Sequence, residues 1–185
     1  MRPDMRRRCC DNRGIKCECS GIVNSNSMPG VHIVADICPN CEDKDSSVFV
    51  NIVNYTFTSK SVWLPLCVTR DNGLTRRLLV TGEGLFTMNG VVREGLFTLL
   101  LTEKPGLYDN LFFIFFDFAR PSDPAAAANL LIPGEELSVE SCKTNNCMNK
   151  NVTSISSNIL PEFDDPDESK LTIFHTDGNI EVIKL

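Results

Sequence analysis

The chain has 185 residues, 42% of them hydrophobic and 23% charged, with a net charge of −6. That length fits one domain with its own core, and the acidic balance excludes a body built to attract polyanions. No run approaches the ~18 uninterrupted apolar residues of a transmembrane helix, so no membrane span is predicted.

Residues 1–30 carry no apolar period and read as a basic, Cys-rich N-terminal arm. Within 1–16, six basic residues stand against two acidic ones. From Val31 the pattern changes. "VHIVADI" (31–37) and "VFVNIVNYTFT" (48–58) read as strands, rich in β-branched and aromatic residues. "SVWLPLCV" (61–68) reads as a third, with Pro65 marking an edge or a bulge. Asn72-Gly73 is a hairpin signal, because both residues tolerate positive φ.

The pentapeptide "EGLFT" occurs at 83–87 and again at 94–98, with Asn89-Gly90 between the copies. Two similar strands around a turn explain it. "LFFIFFDF" (111–118) is too apolar for a half-exposed strand and suits a central one. "PSDPAAAANLL" (121–131) predicts one short helix, with Pro124 in its first turn. "ELSVE", "VTSI" and "LTIFHTDGNIEVIKL" follow, the last a hairpin with Asp177-Gly178 at its turn. Between them, "PEFDDPDESK" (161–170) carries five acidic residues against one lysine.

Many short strands and little helix predict a mainly β fold. The expected form is an antiparallel β-sandwich, jelly-roll-like or similar, with a Cys-rich N-terminal extension. The divisions are the arm at 1–30, the sandwich core at 31–160, an acidic linker at 161–170 and a C-terminal β-hairpin packed on the core at 171–185.

There are nine cysteines, at positions 9, 10, 17, 19, 38, 41, 67, 142 and 147. Cys17, Cys19, Cys38 and Cys41 form a C-x-C and a C-x-x-C pair, which offers four thiolates to one structural zinc. His32 is a substitute ligand for that site. In an oxidising compartment the same residues would instead form disulfides, and Cys142 and Cys147, bracketing a polar turn, would form another. An odd count leaves one thiol free or intermolecular. With no apolar stretch after the basic start, the expectation favours a cytoplasmic, zinc-bound protein, or an extracellular, disulfide-bonded one if the chain is a mature fragment. The sequons at Asn54 and Asn151 are no more than chance predicts in a chain so rich in Asn, Ser and Thr.

No motif marks an enzyme. The chain has two histidines, His32 and His175, and no nucleophile elbow, metalloprotease motif or phosphate loop. The acids following "CPNC" oppose a redox-active thiolate. The reading is therefore a non-enzymatic β protein acting through protein–protein interaction, either receptor or host-protein binding or self-assembly, with cysteines in structural roles. One alternative is a zinc-knuckle protein that binds nucleic acid through Arg6, Arg7 and Arg8. Another is a hydrolase with two carboxylates facing across a sandwich cleft.

Overall fold

In a computed structural model of the chain, residues 17–142 and 168–185 are described. They form twelve strands: β1 (Cys19–Ser25), β2 (Val31–Ile37), β3 (Ser47–Ile52), β4 (Tyr55–Val62), β5 (Leu66–Arg70), β6 (Thr75–Met88), β7 (Val91–Glu103), β8 (Tyr108–Asp117), β9 (Ala126–Pro133), β10 (Leu137–Ser141), β11 (Lys170–Phe174) and β12 (Ile180–Lys184). All belong to one sheet, ordered β10-β1-β2-β3-β4-β6-β7-β8-β9-β11-β12, with β5 paired beside β6.

Every pairing is antiparallel, and most neighbours in sequence are neighbours in the sheet. The result is a mainly β, antiparallel half-barrel rather than the two separate sheets of a jelly roll. Its curl is measured by contacts between distant strands. Strands lie roughly 4.8 Å apart, so three steps in a flat sheet, as from β4 to β8, would span about 14 Å. Yet Phe57 on β4 has its ring centroid 4.9 Å from that of Phe113 on β8. Tyr55 on β4 donates to Glu181 on β12 at 3.0 Å, although six strand steps separate them.

The core is the concave face. Phe57, Phe97, Phe113 and Phe115 are its largest fully buried side chains, and Phe57 lies against the other three rings at 4.9, 4.9 and 6.0 Å. Phe49, Phe112 and Phe116 face the convex side and are half-buried, while Phe118 is exposed. "LFFIFFDF" thus supplies both faces of β8, a strand between β7 and β9 as its composition predicts.

The "EGLFT" repeat is the centre of the longest hairpin. β6 and β7 are joined by Asn89 and Gly90, at φ 50° and 77°, the mirror-image turn that matches strand twist. The repeat's two glycines, Gly84 and Gly95, stand opposite each other across that hairpin. A Cβ on Gly95 would lie 1.9 Å from the carbonyl oxygen of Phe116, and one on Gly84 would lie 2.4 Å from the Phe57 ring. Glycine at both positions lets neighbouring backbone and rings close in where the sheet bends.

Four expectations are corrected. Residues 126–133 form β9, not a helix. Ala126 and Ala128 stand opposite Phe115 and Phe113, so small residues in a strand make room for large neighbours, and this pairing overrides alanine's helix propensity. The stretch 48–58 is two strands with a turn at Val53, which adopts φ 55°. The stretch 61–68 is likewise broken, with Trp63, Leu64 and Pro65 between β4 and β5. Cys19–Ser25, within the stretch read as an arm, is a sheet strand whose alternate residues are buried.

Candidate functional site

The predicted site residues do gather, at one end of the sheet, but as disulfides. Cys17 is bonded to Cys38, Cys19 to Cys67, and Cys41 to Cys142, with Cα–Cα distances of 6.2, 6.2 and 5.7 Å. The three bonds tie the entry to β1, the loop after β2, strand β5 and the exit of β10.

Local backbone presents these side chains. Pro39–Cys41 is a single 3-10 turn. Cys38 precedes it at φ 52° and Cys41 ends it at φ 62°, both left-handed. Such a conformation costs a non-glycine residue about 1–2 kcal/mol, and here each strained residue is anchored covalently and by hydrogen bonds. The N–H of Cys38 donates to Ser46 Oγ at 2.8 Å, and that of Cys41 to the Cys38 carbonyl at 2.8 Å. Cys17 donates its N–H to the Cys41 carbonyl at 3.1 Å, and Cys142 donates to the Glu18 carbonyl at 2.9 Å. Cys17, Cys19 and Cys38 are fully buried within the main core.

These bonds overturn the zinc centre. All four expected ligands, Cys17, Cys19, Cys38 and Cys41, are consumed in disulfides, and Cys17 and Cys38 are bonded to each other. A disulfide sulfur has no thiolate to give a metal. Asp43 lies beside Cys17 and Cys38, with ligand atoms within 4.8 Å, but the two sulfurs there are already joined. Cys142 pairs with Cys41 and not with Cys147, which lies outside the described residues, as do Arg6, Arg7 and Arg8. Within "CPNC", Cys38 and Cys41 bond to different partners, which removes a dithiol reading as well.

His32 lies on β2 against the edge of Phe49, at 5.7 Å between ring centroids. His175, just after β11, has Nε2 3.2 Å from Glu181 Oε2, the same oxygen that accepts the Tyr55 hydroxyl. Burial, together with that carboxylate, raises the Tyr55 phenol above its ordinary value. Half-buried Arg93 and buried Asp117 are paired at 3.1 Å where β7 meets the end of β8. Asp109, near the start of β8, is pushed up by burial, an effect partly offset by the Lys104 N–H that donates to it. Packing or a strand connection explains each of these groups except Asp109, whose Oδ2 is buried without a hydrogen-bond partner. The described residues make up an all-β domain of non-enzymatic appearance with structural disulfides.

Comparison with protein-family models, curated proteins and solved structures finds no match to this chain. No helix among the described residues is long and apolar enough to cross a membrane.

Two features escape sequence reasoning. The partner of Cys19 is Cys67, on a strand 48 residues away, and no spacing rule selects it. The side-chain contacts that hold the sheet's curl join residues up to 126 positions apart. The one local cue is the unusual density of cysteine before residue 42.

Proposed function

We propose that this protein is a non-catalytic structural module that associates with copies of itself and forms covalent links between them. One observation carries the reading. Six of the nine cysteines are paired in the three described disulfides, which leaves Cys9, Cys10 and Cys147. Three is odd, so no pairing among these three can use them all. Adjacent cysteines such as Cys9 and Cys10 are also held too close for ordinary disulfide geometry. In a chain oxidised elsewhere, the remaining thiol is set to react with another chain. The disulfides favour an oxidising setting over the cytoplasmic one. Strand β12 adds an apolar surface to the module: it ends the strand order, with Ile180 and Val182 63% and 53% exposed.

The test is electrophoresis without reductant, together with light scattering, on protein folded under oxidising conditions. Covalent dimers or larger species are expected. A variant with Cys9→Ser, Cys10→Ser and Cys147→Ser should lose them and keep the three internal disulfides by mass. A monomer that carries a stable free thiol would overturn the reading.

A further inference from the structure

The β7–β8 loop and the β9–β10 turn meet at one end of the sheet. Asp109 sits beneath them, 2% exposed. Its Oδ1 accepts the N–H of Lys104 at 2.9 Å. Its Oδ2 is buried and has no hydrogen-bond partner. A buried carboxylate oxygen left without a donor costs stability; the charge of Lys104 offsets part of that cost, but no donor reaches Oδ2 itself.

The space next to it belongs to Gly134. The Gly134 N–H donates to the Leu107 carbonyl at 3.2 Å, which brings the two loops together. Outside residues 133–135, the three atoms nearest a Cβ on Gly134 would be Oδ2 of Asp109 at 3.7 Å, the Gly106 carbonyl oxygen at 3.8 Å and the Leu107 carbonyl oxygen at 3.9 Å. The facing lining of that space is thus oxygen: one carboxylate and two backbone carbonyls. Gly134 is exposed at the mouth of that space, and Oδ2 lies closed to solvent at its floor.

We propose that Asp109 Oδ2 and the carbonyl oxygens of Gly106 and Leu107 form a calcium-binding site in the gap beside Gly134. The donor set decides the ion. Calcium takes carboxylates, backbone carbonyls and waters in flexible geometry, whereas magnesium demands a stricter shell and loses water reluctantly. The absence of nitrogen or sulfur among the nearest atoms argues against zinc or copper. An ion would sit closer to the three oxygens than a Cβ does, with water filling its remaining positions. One carboxylate places the affinity at the weak end, with Kd of about 0.1–1 mM.

The experiment uses the whole oxidised chain, with calcium chloride as the titrant in calorimetry and in thermal unfolding. Binding at one site and a rise in Tm of several degrees are expected in millimolar calcium, with a smaller effect from magnesium. Asp109→Asn should abolish both responses. Gly134→Ala, whose methyl group fits with ordinary contacts but fills the gap, should weaken binding at least tenfold with the circular dichroism unchanged. If Asp109→Asn fails to fold, Gly134→Ala carries the test alone. The site is overturned if the wild-type protein shows no calcium response. It is equally overturned if the response survives both substitutions, which would assign the calcium to the acidic residues of 161–170.

Discussion

Arg76 and Glu103 face each other across the β6–β7 hairpin and grip the backbone of one residue, Val139, on the edge strand β10. Arg76 Nη1 donates to the Val139 carbonyl at 3.1 Å, and the Val139 N–H donates to Glu103 Oε2 at 2.9 Å. The two side chains do the work of a neighbouring strand, and they fix β10 five strand steps from β6 in the sheet order. They also cap an edge that would otherwise offer bare backbone groups to another chain.

Glu103→Ala should therefore loosen β10 more than it unsettles the hairpin. The Val139 N–H loses its acceptor, and because the site is partly open to water the cost should be about 1 kcal/mol. Hydrogen exchange at Val139 should accelerate, while that of Leu99 and Leu101 on β7 stays slow. Equal acceleration throughout β7 would contradict a local clasp. A double-mutant cycle with Arg76→Ala should show coupling, since both residues hold one peptide unit.

The disulfides should differ in worth. Cys41–Cys142 spans 101 residues and Cys17–Cys38 spans 21. In the chain-entropy model a 100-residue loop contributes about 4.7 kcal/mol, and a loop near 20 residues roughly 3. The pair Cys41→Ser with Cys142→Ser should then lower stability by more than Cys17→Ser with Cys38→Ser, as read by urea unfolding. The opposite order would show that burial of the Cys17–Cys38 bond outweighs loop length.

Much of the local structure was legible because turn chemistry sits in adjacent residues. Asn89-Gly90 and Asp177-Gly178 announce hairpins, and Gly73, Gly90 and Gly178 all adopt positive φ. "VHIVADI" matches β2 at both ends. The turn at Val53 was hidden because valine rarely adopts φ 55° and so carries no turn signal. Cysteine clustering pointed to a structural site, but spacing alone could not separate four thiolates around zinc from three disulfides. What separates them is Cys67 and Cys142, which only the curled sheet brings near. The curl was illegible for the same reason: it lives in contacts such as Tyr55 with Glu181.

That contact gives a pH prediction. Burial first, and the Glu181 carboxylate second, raise the folded Tyr55 phenol above its ordinary value near 10. Below that value both folded and unfolded chains hold the proton, and the contribution is intact. As pH rises past 10 and on through the raised folded value, the unfolded chain releases its proton first and stability falls. Tyr55→Phe should lose about 1 kcal/mol at neutral pH with the hydrogen bond to Glu181. It should also fall less steeply than wild type above pH ~10. Parallel curves for the two proteins would show that Tyr55 titrates normally.

The bend at the "EGLFT" repeat yields the sharpest prediction. At Gly95 a methyl group would meet the Phe116 carbonyl oxygen at 1.9 Å and the Phe115 ring at 2.8 Å, so backbone and core must both move. At Gly90, in the turn of the same hairpin, nothing lies within 4 Å of an added Cβ, and the cost is the positive φ of 77° alone. Gly90→Ala should cost about 1–2 kcal/mol and leave the fold intact. Gly95→Ala should cost more than about 3 kcal/mol, in the range of overpacked cores. The two variants lie five residues apart in one hairpin and make the same change; Gly90 adds only a positive φ, so crowding is what makes Gly95 the costlier site. Urea unfolding of both decides it. If Gly95→Ala were as mild as Gly90→Ala, the close approach of β8 to β7 at Gly95 would not be what shapes the half-barrel.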